Sequence, residues 1–338
     1  FIFWLVLFAR WNVARIREFD SRRALLLSGI AWGLFAFAFP PLPLGPAALL
    51  LLVPWFIVLD RYNRNTAIFA TFWSGMIYNT VNYYWIYNVM NVDSAPSGLI
   101  CLGVFLLIAF FSAYSVFAAF IYTLAKNIKF GGRAWLLALY PIFYAGLEMT
   151  RTRGDFAFPW SHLGYVFGNT LEALQALSVI GIFGYTALII ASNMMVAKAI
   201  ESPWKMPAGD NRTKFVLAKL PLAAPAVILA ALLVHGNVVL SRPEAQPFYG
   251  AEAPETPLMA MVQPSIQQGE KWSKARFDSI TAKTFGMVND SVTAGTNLII
   301  LAETAVPDHI RSQPATIRAL HRLAERHNAA VLTGALDF

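Results

Sequence analysis

Cysteine is nearly absent: Cys101 stands alone among 338 residues. A single cysteine excludes an internal disulfide and a cysteine-built metal cluster. Charge is scarce too, at 13% of residues, against about 25% in soluble domains. The histidines (His162, His235, His309, His321, His327) show no metal spacing beyond the uninformative His321/His327 pair, and no metal is expected. His309 follows closely on Glu303 but reads as an exposed turn residue. No nucleic-acid motif, repeat or low-complexity tract occurs. Phe1–Ala9 is apolar, yet Arg10 follows and no small-residue cleavage site appears, so no cleavable signal peptide is expected. What the chain has in abundance is apolar side chains, 57% of residues, with a mean hydropathy of +0.53. A membrane protein over most of its length is predicted. The net charge of +7 then carries topology, not a taste for acidic partners.

Residues 1–23 join an apolar patch to Arg10, Arg15, Arg17, Arg22 and Arg23, the pattern of an interfacial helix. Seven apolar runs follow: Ala24–Phe39, Pro46–Leu59, Thr66–Tyr87, Gly98–Ala125, Ala134–Met149, Leu171–Ala197 and Phe215–Leu240. Pro221 and Pro225 are expected to kink the start of the last. The second is short for a hydrocarbon core of about 30 Å. Segments 1–23, 60–65, 126–133 and 198–219 hold fifteen Lys and Arg residues, while the alternate loops hold only Arg151 and Arg153. By the positive-inside rule the N-terminus is cytoplasmic, and seven crossings place everything after Leu240 outside. Cys101, among Leu, Ile and Gly in the fourth run, reads as a small hydrophobe. No electropositive neighbour is there to activate its thiol. Glu148 is costly in lipid and is expected to face the bundle or pair with Arg151 three residues on. For Arg151, Arg153 and Asp155 two readings stand: contact with lipid phosphates, or an Arg–Asp surface pair.

Composition changes after Leu240. Residues 1–240 form the helical membrane domain, 241–257 a linker rich in Pro, Glu and Ala, and 258–338 an α/β segment. Strands are predicted at Leu258–Val262, Leu298–Leu301 and Ala329–Leu332, with helices at Lys271–Ala294 and Thr316–His327. This alternation implies a parallel sheet with right-handed crossovers. The organising stretch is Asn297–Pro307. Four apolar residues, read as a strand buried on both faces, run towards Glu303, with Pro307 after it. Glu303 thus falls at the C-terminal edge of a parallel strand, where open α/β sheets place their chemistry. A half-buried carboxylate there suits general-base work. The plainer alternative is a glutamate that closes a strand and caps the next turn.

Four stretches in order carry a resemblance. Trp85-Ile-Tyr87, the 158–165 stretch Phe-Pro-Trp-Ser-His-Leu-Gly-Tyr, the 262–272 stretch from Val262 to Trp272, and Asn297–Pro307 with its Glu303-Thr-Ala-Val-Pro307 end together resemble the apolipoprotein N-acyltransferase family. Val331-Leu-Thr-Gly334 also fits its third strand. The resemblance implies a multi-span α-helical membrane domain followed by the start of an α/β, nitrilase-like, αββα-type extracytoplasmic domain. It implies a Glu–Lys–Cys triad with Glu303 as the base, and a lysine and a nucleophilic cysteine beyond Phe338. On that basis the chain is expected to be C-terminally truncated. Ala302 stands where the family usually has Pro, which leaves the carboxylate in place. By the same resemblance Trp272 lines the active-site approach, although a core position is open to it, and Lys271 beside it reads as solvated. Trp160 and Tyr165 suit either an interfacial aromatic belt or a membrane-facing substrate mouth. The implied reaction takes an acyl chain from a phospholipid to the diacylglyceryl-cysteine of a lipoprotein, without cofactor, at the bacterial inner membrane with the soluble domain periplasmic. A membrane-anchored amidohydrolase and an inactive lipid- or lipoprotein-binding remnant are the alternatives.

Overall fold

The computed structural model describes residues 15, 18–91, 96–128, 134–155, 157–202, 212–242, 257–271, 273–310 and 313–334. Two compact units divide the chain, Phe1–Tyr87 with Gly98–Gln246, and Asn88–Ser97 with Pro247–Phe338. Residues 1–14 and 16–17 of the expected interfacial segment lie outside the described residues, as does most of the 241–257 linker, while residues 19–23 open the first helix.

The first unit is helical. Its main helices are α1 (Phe19–Ala36), α2 (Val53–Arg61), α3 (Arg64–Tyr83), α4 (Ser97–Ala125), α5 (Ala134–Thr150), α6 (Leu177–Glu201) and α7 (Ala224–Leu240). Each lies on one of the seven apolar runs. Among the described residues, three helical stretches are long and apolar enough to cross a membrane: Ser97–Ala125, Leu177–Glu201 and Thr213–Leu240. Leu99, Leu102, Phe105 and Leu106 of α4 are exposed, as side chains facing lipid would be.

The runs are interrupted where the sequence supplies a physical cause. The second is not one helix. A turn at Gly45–Ala47 leads into Ala48–Leu51, and α2 begins only at Val53. Pro54 has no N–H to give to the preceding turn. The backbone groups freed there meet side chains of α6. Asn193 Oδ1 accepts from the Leu52 N–H at 2.8 Å, its Nδ2 donates to the Ala48 carbonyl at 2.9 Å, and Ser192 Oγ donates to Leu49 at 2.8 Å. In a setting without water, a broken helix persists only where such partners exist. The sixth run is likewise divided, into a turn at Leu171–Leu174 and α6, which contains Gly181 at φ 63°. Helix α3 starts at the Asn63 cap, whose side chain accepts from the Thr66 N–H at 3.0 Å, and beyond Tyr83 it tightens to a 3₁₀ stretch. Pro221 and Pro225 sit at the 3₁₀ turn and first residues before and in α7, where the kink was expected.

Aromatic rings fill the core. Trp32 meets Trp55 and Tyr78, each at 5.2 Å between centroids, and Phe56 meets Tyr122 at 5.7 Å. At one end of the bundle the basic loops converge. Lys126 Nζ donates to the carbonyls of Leu59, Asp60 and Tyr62, capping α2, and Lys198 pairs with Asp60. Lys219 Nζ donates to the Ala199 and Ser202 carbonyls at the end of α6. Three of the segments rich in Lys and Arg therefore meet at the same end.

The second unit holds β1 (Leu258–Val262), α8 (Phe277–Ser291), β2 (Thr296–Leu301), α9 (Pro314–His327) and β3 (Ala330–Leu332). The strands are parallel in the order β1-β2-β3, with Met261 opposite Ile300 and Ile300 opposite Leu332. Asn328, in the left-handed region at φ 48°, ends α9. Val262, Ile299, Leu301, Val288 and Leu323 form the core. The expectation that β2 is buried on both faces needs correction. Ile299 and Leu301 are buried, but Leu298 and Ile300 are only half-buried, and Met261 and Leu332 on the same face are exposed. Two successive right-handed crossovers in one direction put α8 and α9 on one face. The other face is open among the described residues.

Candidate functional site

Glu303 lies two residues past the end of β2, at the sheet's C-terminal edge, as the strand pattern predicts. It is exposed, not half-buried. Its backbone is held from three sides. The Thr304 N–H donates to the Gly334 carbonyl at 3.1 Å, continuing the β2–β3 side of the sheet past its last ladder pair. Lys271 Nζ donates to the Glu303 carbonyl at 3.2 Å, so this lysine is engaged with the site and not merely solvated. Ala305 and Val306 are buried just beyond. Thr304 takes a left-handed φ of 51°, which a non-glycine residue adopts only where the surroundings fix it. Gly334 lies against the carboxylate stem. A Cβ there would lie 3.2 Å from Glu303 Cγ and 3.3 Å from its Cα. Trp272 lies outside the described residues.

The other quoted motifs come together in the first unit. Trp85 and Trp160, 75 residues apart in sequence, pack with ring centroids 5.2 Å apart and planes tilted by 46°. Both are exposed, and so is Tyr165, on the 3₁₀ turn Leu163–Asn169. Behind these rings the 160–163 backbone is gripped by side chains of α3 and by residues at or just after the end of α5. Arg151 Nη2 donates to the Trp160 carbonyl and to the Tyr83 hydroxyl, each at 2.8 Å. Tyr83 donates to the same carbonyl at 3.3 Å, and Tyr78 donates to the Ser161 carbonyl at 2.8 Å. Glu148 Oε1 accepts from the Leu163 N–H at 3.1 Å, and its Oε2 from Thr186 Oγ1 of α6 at 2.6 Å.

Arg151 is thus neither a surface partner of Asp155 nor placed for lipid phosphate. It is 7% exposed, with its guanidinium 4.7 Å from the Phe111 ring centroid, while Arg153 and Asp155 are exposed. Glu148 does face the bundle, but its hydrogen bonds go to Leu163 and Thr186. His162 is fully buried between Tyr165 and Phe183. Burial, and then the charge of Arg151, pushes its imidazole down to about 4, so it is neutral at physiological pH. Tyr78, Tyr83 and Thr186 escape a reading of the sequence. The available signal is their polarity inside otherwise apolar runs. Cys101 is exposed on α4, consistent with a lipid-facing hydrophobe. Among the described residues no three His, Cys, Asp or Glu side chains are grouped to hold a metal.

A helical unit with membrane-length apolar stretches, joined to a small parallel α/β unit, defines a helical membrane protein with an appended α/β segment. Residues 28–195 match the family model described as the apolipoprotein N-acyltransferase N-terminal domain. The chain belongs to that family. It is similar to the apolipoprotein N-acyltransferase of Geobacter metallireducens, 23% identical over 96% of this chain and 60% of that one. The Chlorobaculum tepidum protein of the same name is 26% identical over 92% of this chain and 54% of its own length. For Gloeobacter violaceus the figures are 25%, 88% and 53%. The chain spans roughly 53–60% of the length of these curated relatives.

Proposed function

We propose that the full-length protein moves an acyl chain from a phospholipid to the α-amino group of the diacylglyceryl-cysteine that begins a lipoprotein. The observation that carries this reading is the family match across residues 28–195, which contains the Trp160 loop and every side chain that grips it. The names of the relatives support it.

The chemistry follows from the residue types. A cysteine thiol gives its proton to Glu303 and attacks the sn-1 ester carbonyl. The tetrahedral oxyanion is stabilised by a lysine ammonium. Its collapse releases a lysophospholipid, which takes the proton, and leaves a thioester. The lipoprotein amine then attacks the thioester and passes its proton to Glu303, the amide forms, and the thiol is restored. By resemblance that thiol and that ammonium are neither Cys101 nor Lys271. Both substrates are anchored in lipid, so aromatic side chains at a membrane surface, such as Trp160, Trp85 and Tyr165, fit acyl-chain contact. Trp272 is proposed for the approach to the thioester. No cofactor is required for transfer between an ester and an amine. The β-α-β-α-β segment fits the beginning of a nitrilase-like domain.

We further propose seven spans in a bacterial inner membrane, with the N-terminus cytoplasmic and the α/β unit periplasmic. The charge bias and the shared end of Lys126, Lys198 and Lys219 support this orientation. With both Cys101 and the proposed nucleophilic cysteine replaced by Ala, Arg153→Cys in intact spheroplasts should react with an impermeant maleimide, and Arg64→Cys only after permeabilisation. The opposite pattern contradicts the topology.

Gly334 offers a test of the Glu303 edge. Gly334→Ala forces the carboxylate stem to yield by a few tenths of an ångström. A kcat loss of about tenfold is expected, since misplacement by 1 Å can cost about a hundredfold. An unchanged kcat would separate Glu303 from the chemistry. The function itself is tested by expression in a bacterium whose own N-acyltransferase is shut off. Growth and normal lipoprotein mobility should return, and failure by a stably expressed protein overturns the proposal.

A further inference from the structure

Glu148 and Arg151 are 4% and 7% exposed in a unit built to meet lipid. Ionisable groups are costly there, and apolar residues of similar volume often stabilise a bundle equally well or better. Their contacts converge on one short stretch of backbone. Trp160, Ser161 and Leu163 each have a main-chain group taken by a buried or nearly buried side chain: Arg151 and Tyr83 on the first, Tyr78 on the second, Glu148 on the third. Ser161 sits at φ 56°, a left-handed conformation that a serine holds only under such constraint. At the surface, the outcome is one fixed placement of the Trp160 ring against Trp85.

We infer that Arg151 and Glu148 are positioning residues: by pinning the 160–163 backbone they hold Trp160 against Trp85 as a platform for the phospholipid acyl chain. The lipid part of this inference rests on the proposed acyl transfer; the pinning does not. Glu148 acts here as a hydrogen-bond acceptor for Leu163, so a neutral acceptor of the same length should serve. Arg151 acts through a carbonyl that only a donor can satisfy.

The test uses the full-length protein with Cys101 and the proposed nucleophilic cysteine both replaced by Ala and with Ser161→Cys, since Ser161 is only 9% exposed. The rate of maleimide labelling at position 161 is measured without reference to activity. Arg151→Gln and Glu148→Leu should each raise that rate at least about tenfold, the scale of a lost hydrogen bond to a charged group. Glu148→Gln should leave it near the parent value. Leu59→Ala, a cavity in the core away from the loop, should lower the melting temperature without raising the rate. If Arg151→Gln does not fold, Tyr83→Phe replaces it, with an expected rise of about threefold for one lost neutral bond. Equal labelling in the parent and in the folded variants overturns the pinning, and so does a comparable rise in Leu59→Ala.

In the serine protein, Arg151→Gln should raise KM for the phospholipid by about tenfold while kcat changes less than about threefold. Faster labelling with an unchanged KM overturns the lipid platform. Absence of any acyl transfer in the parent defeats the proposed activity, and with it the platform, but leaves the labelling test of the pinning intact.

Discussion

Glu303→Gln in the full-length protein is expected to insert normally and to lose at least about a hundredfold in acyl transfer, within the usual 10²–10⁴-fold contribution of a general base. Glutamine keeps the size of the side chain and most of its hydrogen bonding but cannot accept the proton. The bonds that fix this residue run through its own backbone and its neighbours': Thr304 to Gly334, and Lys271 to the Glu303 carbonyl. None of them needs the carboxylate, so the loop geometry should survive the change. The thioester should also fail to accumulate, because the thiol proton has no acceptor. Labelling with a phospholipid tagged in its sn-1 chain reads this step. Thioester formation at the wild-type rate would make Glu303 the closing residue of a strand and nothing more.

Gly236→Ala is expected to destabilise the helical unit by about 1–3 kcal/mol, the usual cost of overpacking a filled site. Helix propensity alone points the other way, since alanine improves a helix interior by about 0.5–1 kcal/mol over glycine. Sterics decide the sign. A Cβ on Gly236 would lie 1.9 Å from the Glu172 carbonyl oxygen and 2.4 Å from its carbon, and a backbone group cannot rotate away as a side-chain end can. The Leu171–Leu174 turn is itself fixed, for the Tyr185 hydroxyl donates to the Ala173 carbonyl. Gly146 of α5 is the control. No atom lies within 4 Å of its added Cβ, so Gly146→Ala should be neutral or stabilising by up to about 1 kcal/mol. Melting temperatures in detergent measure both. A fall for Gly146→Ala equal to that for Gly236→Ala would contradict the close approach of α7 to that turn.

Much of this architecture is legible in the chain, because apolar runs long enough to form membrane helices leave few alternatives once water is excluded. Prolines mark where they break: Pro54 at the start of α2, Pro221 and Pro225 at the entry to α7. What the sequence cannot show is how a break is satisfied. Asn193 is spoken for by Ala48 and Leu52, about 140 residues away, and nothing local to either end announces it. The grip on the Trp160 loop is hidden for the same reason. Its acceptors and donors are mostly backbone groups, which carry no sequence identity, so Arg151 reads as a surface residue until Tyr83 and the Trp160 carbonyl are seen beside it. The open face of the sheet is a limit of another kind. A continuous apolar strand tells that it can be covered on both sides, whereas crossover handedness and strand order determine which side the helices cover. The placement of Glu303 at the strand end followed from the pattern of four apolar residues and a downstream proline. Its exposure did not.

The central claim is transfer of an acyl chain to an amine, and one measurement addresses it directly. Purified full-length protein is supplied with a phospholipid carrying an isotopically labelled sn-1 chain and with a diacylglyceryl-cysteine peptide. The products are then fragmented in a mass spectrometer. The account predicts the labelled chain in amide linkage on the α-nitrogen of the peptide's first cysteine, with lysophospholipid in equimolar amount. Labelled free fatty acid with the peptide unmodified, or no consumption of either substrate, would contradict it.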